Sequence, residues 1–88
     1  MDSTRIDLST IKEKVKAYIY QSVHVDKTKI GDETLIFREG YFDSMGFILL
    51  ITFLEETFSI KTTDADLLEE NFESINAISD FIVHKFEG

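Results

Sequence analysis

Apolar side chains recur along this chain at intervals of three and four residues, and no proline interrupts them. A strand would need alternation with a period of two and turn residues between segments, so this spacing predicts an all-α fold. Leu8, Ile11, Val15, Tyr18 and Ile19 fall on one face of a first helix, with Lys12, Glu13, Lys14 and Lys16 elsewhere around it. Thr10 and Glu13 have capping-box spacing, which predicts a start near Ser9 or Thr10. A second helix is expected from Asp43 or Ser44 to about Phe58, with Asp43 as its N-cap. A shorter segment over roughly Asp64–Glu70 follows, where Thr63 and Asp66 repeat the capping spacing. Ser74 then caps a last helix whose Ile75, Ile78, Phe81 and Ile82 share one face. The expected architecture is three main helices with a short one between the second and the last.

Between Ser22 and Phe42 the periodicity fades, with Gly31 and Gly40 as breaks. A connection of that length in a small domain either serves function or packs through its own side chains. The apolar run Leu35-Ile36-Phe37 points to packing, with Leu35 and Phe37 expected to pin the loop to the core.

With 88 residues, the chain is read as one domain, residues 1–88, with a helical core over about 8–86. That is enough for one modest core and too little for a deep catalytic cleft as well, so binding and carrying are favoured over chemistry. The absence of cysteine excludes disulfides, thiolate metal sites and cysteine nucleophiles. The stretch Met1–Leu8 carries Asp2 and Asp7 and lacks the apolar centre of a secretory signal, and no window is long enough to span a membrane. A soluble, monomeric, cytoplasmic protein is expected. Charge is divided unevenly. Residues 1–30 hold six basic side chains against four acids, a net of +2, and residues 31–88 hold three against thirteen, a net of −10, which together make the chain's −8. An anionic surface of this kind repels phosphate backbones and anionic lipid, excluding nucleic acid and membrane as partners and favouring a basic protein.

The most informative stretch is Gly40-Tyr41-Phe42-Asp43-Ser44-Met45-Gly46-Phe47. A serine in the first turn of a helix lies near unsatisfied backbone N–H groups and the positive end of the dipole, which suits a phosphodiester. Asp-Ser is also an ordinary way to start a helix, so the dipeptide alone says little. Its context says more: Leu35-Ile36-Phe37-Arg38-Glu39-Gly40 before it, Leu54-Glu55-Glu56-Thr57-Phe58-Ser59-Ile60 after it, then Asp66-Leu67-Leu68-Glu69-Glu70-Asn71-Phe72. Asp-Ser-Met in this setting resembles the Asp-Ser-Leu signature of the acyl and peptidyl carrier protein family, over roughly residues 8–86. The resemblance implies a small right-handed four-helix bundle with a long loop between helices 1 and 2. It also implies 4'-phosphopantetheine carried on Ser44, and a second role for Asp43 in holding the metal ion used by the transferase that installs the arm. Implied partners are a phosphopantetheinyl transferase, an acyl- or aminoacyl-loading ligase, and downstream transferases or synthases. On this reading the chain is not an enzyme: it tethers an acyl or aminoacyl group as a thioester and presents it to others.

The second helix is apolar nearly all the way round, and one helix in so small a domain cannot bury every face. Leu50, Leu54 and Phe58, with Ile51, form the expected core stripe. Met45, Ile48 and Leu49 then project outward beside Ser44 as a partner-docking patch, with the carboxylates of Glu39, Glu55 and Glu56 steering the approach. Fatty-acid-synthase carriers resemble this chain at the serine but show acidic residues early in this helix, where Gly46 and Leu49 stand here. Asp-Ser-Met-Gly, Arg38-Glu39-Gly40 and Glu70-Asn71-Phe72 resemble instead the discrete carriers of nonribosomal-peptide, polyketide or aminoacyl-transfer pathways. Thr62-Thr63 replaces an apolar residue and proline that often precede the family's third helix. The rival reading is a carrier-like structural interaction domain without a prosthetic group. A hydrolase built on Ser44 lacks a nearby base or oxyanion framework. Asp64, Asp66, Glu69, Glu70 and Glu73 lack the spacing of a calcium loop and read as a solvated acidic face. His24 and His84 belong to no motif, and Asp80 and His84 are spaced as a surface i, i+4 pair.

Overall fold

The computed structural model describes residues 7–23 and 27–87, so His24 lies outside the described residues. Helix α1 spans Leu8–Ser22, α2 Ser44–Phe58, α3 Glu69–Phe72 and α4 Ile75–Glu87, with short 3₁₀ turns at Lys27–Lys29 and Asp64–Asp66. No strand occurs among the described residues. The all-helical bundle expected from apolar spacing is the one observed.

Helix α1 begins earlier than the Thr10–Glu13 spacing predicts. Asp7 is its N-cap, accepting a hydrogen bond from the Thr10 N–H at 2.8 Å, while the Ile11 N–H reaches the Asp7 carbonyl at 3.2 Å. An aspartate at this position satisfies a first-turn donor better than threonine would, and the longer helix gains backbone bonds. Ser74 caps α4 as expected, accepting from the Ala77 N–H at 3.1 Å. The expected Asp64–Glu70 segment is instead two pieces, a 3₁₀ turn at Asp64–Asp66 and the four-residue α3. The Asn71 side chain donates to the Asp66 carbonyl at 2.8 Å where the chain passes from one to the other.

The core is one cluster. Ile11, Val15 and Ile19 of α1 meet Leu50, Leu54 and Phe58 of α2 and Ile75, Ile78, Phe81 and Ile82 of α4, with Phe72 of α3 fully enclosed. Ile51 is only partly buried at the edge of this stripe. An aromatic ladder crosses the bundle edge to face: Phe37 to Phe47 at 5.6 Å between centroids, Phe47 to Phe72 at 5.5 Å, and Phe72 to Phe81 at 4.8 Å.

The long loop is anchored by Ile36, with the expected Phe37 packed beside it against the core cluster and Leu35 taking no part in that cluster. Ile36 is fully buried while Leu35 and Phe37 are partly exposed. The Ile36 N–H donates to the Glu73 carbonyl at 2.9 Å, and its own carbonyl accepts from the Tyr41 and Phe42 N–H groups at 2.9 and 3.1 Å. These bonds close residues 36–40 into a tight turn that drives the central side chain inward. Gly40, at φ 87°, supplies the left-handed residue that ends it. Further along, Asp32 joins the loop to α1 through Lys12 at 3.4 Å and Lys16 at 3.1 Å, and its carbonyl accepts from the Asn76 N–H of α4 at 2.9 Å. His84 departs from the expected carboxylate pair: its Nδ1 lies 2.8 Å from the Asp80 backbone carbonyl.

Candidate functional site

The turn that ends at Gly40 delivers the chain to the start of α2. Phe42 is buried there, and Asp43 next to it has extended backbone angles that let its carboxylate turn back over the helix, accepting from the Gly46 N–H at 2.8 Å. Ser44 is the first helical residue, and its side chain is exposed. Its hydroxyl therefore stands in solvent at the positive end of a 15-residue helix.

Gly46 has a reason the sequence alone does not show. A Cβ at this position would lie 2.9 Å from the Phe42 ring and 3.5 Å from the Asp43 carboxylate oxygen. The missing side chain lets Phe42 pack close to the first turn while Asp43 caps it.

Two grooves flank this helix end. One, of about 500 Å³, is lined by Phe37, Phe42, Phe47, Ile48 and Leu67, with Ser44, Asp43 and Glu69 at its edge. The other, of about 310 Å³, lies toward α1 and is lined by residues including Tyr18, Tyr41, Met45 and Leu49. The larger groove draws its walls from the loop, α2 and the segment before α3. No periodic pattern links those three stretches, which is why Phe37, Phe42, Phe47, Leu67 and Glu69 escape a reading of one helix at a time.

Met45, Ile48 and Leu49 are 62%, 58% and 54% exposed, so the outward face inferred from helical spacing is present beside Ser44. Glu39 is exposed on the turn just before the site. Glu55 and Glu56 are not brought to it: they lie about 17 Å along the α2 axis from Ser44, at the helix's other end. Glu56 is exposed, but the Glu55 carboxylate accepts from the Thr62 N–H at 3.0 Å and the Thr62 hydroxyl at 2.8 Å. The Thr62 backbone bond, followed by the hydroxyl bond, holds the Glu55 carboxyl below its ordinary range. Glu55 thus fastens the chain leaving α2, giving Thr62 a structural use where it replaces an apolar residue.

The family model described as "Phosphopantetheine attachment site" matches residues 13–82. The chain belongs to this family of carrier proteins. Its relatives include an acyl carrier protein of Buchnera aphidicola subsp. Baizongia pistaciae, 33% identical over 75 residues that cover 85% of this chain and 94% of that protein. An acyl carrier protein of Thermosynechococcus vestitus is 32% identical over 77 residues, covering 88% and 93% respectively. Members of the family carry 4'-phosphopantetheine covalently, and they are served by phosphopantetheinyl transferases and acyl-handling enzymes.

The residues at the start of α2 fit such a group. An exposed hydroxyl is available for a phosphoester bond, the first-turn N–H groups and helix dipole favour the negative charge, and an apolar groove lies within reach of the arm. Among the described residues no helix is long and apolar enough to cross a membrane.

Proposed function

We propose that Ser44 is the attachment point of 4'-phosphopantetheine, and that the chain carries an acyl or aminoacyl group for partner enzymes without performing the chemistry itself. The observation that carries this reading is the exposed Ser44 hydroxyl at the first residue of α2, inside a family-matched region. In the loading step the Ser44 oxygen attacks the phosphorus that bears the pantetheine, the Oγ–P bond forms, and the diphosphate P–O bond of coenzyme A breaks. Adenosine 3',5'-bisphosphate leaves and the hydroxyl proton is released. Asp43 caps the first turn through the Gly46 N–H, and its exposed carboxylate would help hold the transferase's metal ion, the second role that the family resemblance implies. When attached, the arm supplies a thiol on which cargo is held as a thioester.

Partners dock on Met45, Ile48 and Leu49, with Glu39, Glu56 and the fixed charge of Glu55 contributing to the acidic surround that steers basic surfaces inward. A specialised pathway, of nonribosomal-peptide, polyketide or aminoacyl-transfer type, is supported by the early part of α2. Gly46 is required there by Phe42, and Leu49 is exposed, where fatty-acid-synthase carriers show acids. The protein works in the cytoplasm as a monomer.

Intact mass after coexpression with a phosphopantetheinyl transferase tests the central claim. The parent should gain the mass of one phosphopantetheine, and Ser44→Ala should gain none while melting like the parent. Failure of the parent to load with several transferases would favour a carrier-like interaction domain lacking the group.

A further inference from the structure

Sulfur is scarce in this chain: there is no cysteine, and the methionines are Met1 and Met45. There is no tryptophan either, so a mild oxidant meets no thiol or indole that would compete for it. Met1 lies outside the described residues. Met45 follows Ser44 directly in the first turn of α2, and at 62% exposure it is the most open large hydrophobic side chain among the described residues. A thioether this open meets peroxide in solution without any local unfolding.

Its surroundings give oxidation a consequence. Met45, Ile48 and Leu49 stand at i, i+3 and i+4 on one face of α2, and they are the exposed large hydrophobic side chains of that helix. The next residue along the face is Thr52, exposed and polar, its hydroxyl donating to the Ile48 carbonyl at 3.1 Å. The patch is therefore short, and its end nearest Ser44 is the oxidisable one. Met45 also helps to wall the groove toward α1, together with Tyr18, Tyr41 and Leu49. A sulfoxide there puts a strongly polar S–O bond inside an apolar contact, and a partner that covers it without offering a donor strips that bond of its water. The fold is spared. Met45 takes no part in the core cluster, and the Asp43 bond that caps α2 uses the Gly46 N–H and not the Met45 side chain.

We propose that Met45 is a reversible oxidation site, and that its sulfoxide weakens partner docking on α2 without unfolding the domain. An electron pair of the Met45 sulfur attacks one oxygen of hydrogen peroxide, the S–O bond forms and the O–O bond breaks. The hydroxyl proton passes to the departing hydroxide, which leaves as water. Sulfur is oxidised by one electron pair and peroxide is reduced by the same pair. Reversal by methionine sulfoxide reductases consumes a pair of thiols, which become a disulfide while the oxygen leaves as water. The docking consequence rests on the proposed role of Met45, Ile48 and Leu49 in a carrier; the oxidation site does not.

The full chain without an attached arm is used for the test, since the arm would bring a thiol of its own. Parent and Met45→Leu are treated with dilute hydrogen peroxide, which is then destroyed with catalase. Peptide mass mapping should find one added oxygen on Met45 of the parent, and the oxidised parent should elute earlier from a hydrophobic-interaction column while the variant's elution stays put. Loading by a fixed amount of phosphopantetheinyl transferase, with the carrier well below saturation, should slow about tenfold in the oxidised parent, the size expected for a contact near an interface centre. Each protein is compared with itself before treatment, so the variant's own starting rate does not enter; peroxide should leave that rate unmoved. Reductases for both sulfoxide epimers should restore the parent, and its melting temperature should stay the same throughout. Met45 oxidised only after unfolding would overturn the site. Loading of the oxidised parent at its untreated rate would overturn the switch, and so would an equal loss in Met45→Leu, which would place the effect elsewhere. If the untreated parent loads with no transferase, the carrier function fails and the switch with it, while the peptide map and the column still decide the oxidation site.

Discussion

Ser44, Asp43 and Gly46 divide three tasks within one helical turn. Ser44 offers an exposed hydroxyl, Asp43 satisfies a first-turn donor, and Gly46 makes room for the Phe42 ring beneath them. Asp43→Ala should cost about 0.5–2 kcal/mol of stability through the lost cap, and loading by a transferase should fall by much more than so small a destabilisation explains. Urea unfolding and a loading time course on one preparation separate the two effects; loading at the parent rate would limit Asp43 to capping. At Gly46 two effects compete. Alanine is the better helix former by about 1 kcal/mol, but its Cβ would lie 2.9 Å from the buried Phe42 ring, which would have to shift. Overpacking of this kind costs about 1–3 kcal/mol, so Gly46→Ala should be net destabilising, whereas Met45→Ala, at an exposed neighbour, should be close to neutral. A Gly46→Ala variant that melts above the parent would show that Phe42 yields freely.

Helix α2 is the element on which fold and function press hardest, since its inner face is core and its outer face is apolar without being buried. Leu50 and Leu54 are fully buried, and Leu54→Ala should cost on the order of 2–5 kcal/mol, a large share of a small domain's stability. Thermal melting close to the parent's would show that the cluster repacks around the cavity. Ile48, at 58% exposure, should behave in the opposite way. Ile48→Asp should leave the circular dichroism melt nearly unchanged while slowing loading or transfer by a cognate partner, because apolar contacts at the centre of an interface control dissociation. Unchanged transfer with several partners would remove the docking role from this face. The two substitutions lie within two helical turns of each other, so opposite outcomes would map the boundary between core and contact surface on a single helix.

Across the whole molecule, carboxylates act both as surface charge and as fastenings. The Thr10 bonds hold Asp7 below the ordinary carboxylate range, hydrogen bonds from Lys16 and then Lys12 do the same for Asp32, the Thr62 bonds for Glu55, and the Lys85 and Thr63 bonds for Asp66. Because each native value is depressed, the associated stability is fully present above the ordinary values of 3.8 for aspartate and 4.5 for glutamate. It is lost as the pH falls through them toward the lower native values. Melting temperature should therefore drop on acidification below pH of about 4.5, and Asp66→Asn should flatten part of that decline; an identical pH profile in the variant would show that Asp66 is not one of the linked groups. Charge at long range works differently. With a net charge of −10 on residues 31–88, association with a basic partner should slow as salt is added, while dissociation should change little. Stopped-flow association at several salt concentrations measures this, and a salt-independent rate would exclude steering.

Helical spacing alone was enough to place α2, α4, their caps at Asp43 and Ser74, and the buried stripe of Leu50, Leu54, Phe58, Ile78 and Phe81, because each follows from a period of 3.6 residues within one segment. The same logic put Met45, Ile48 and Leu49 outside and Ser44 at a helix start beside them. What spacing could not decide was anything assembled from separate segments. Phe37 packs against the core as expected, but the deepest anchor of the loop is Ile36 and not Leu35, because a turn closed through the Ile36 carbonyl determines which of three adjacent apolar residues points inward. Glu55 is turned from free charge to fastening by Thr62 across the end of α2, whereas the Asp7 cap that displaces the Thr10–Glu13 start is a local bond three residues long, of the same kind as the Asp43 cap. The groove beside Ser44 draws on the loop, α2 and the segment before α3, and the Asp66–Lys85 pair joins residues 19 positions apart along the chain. No local pattern encodes such a meeting, since it depends on how the bundle core orients α4 against the segment before α3.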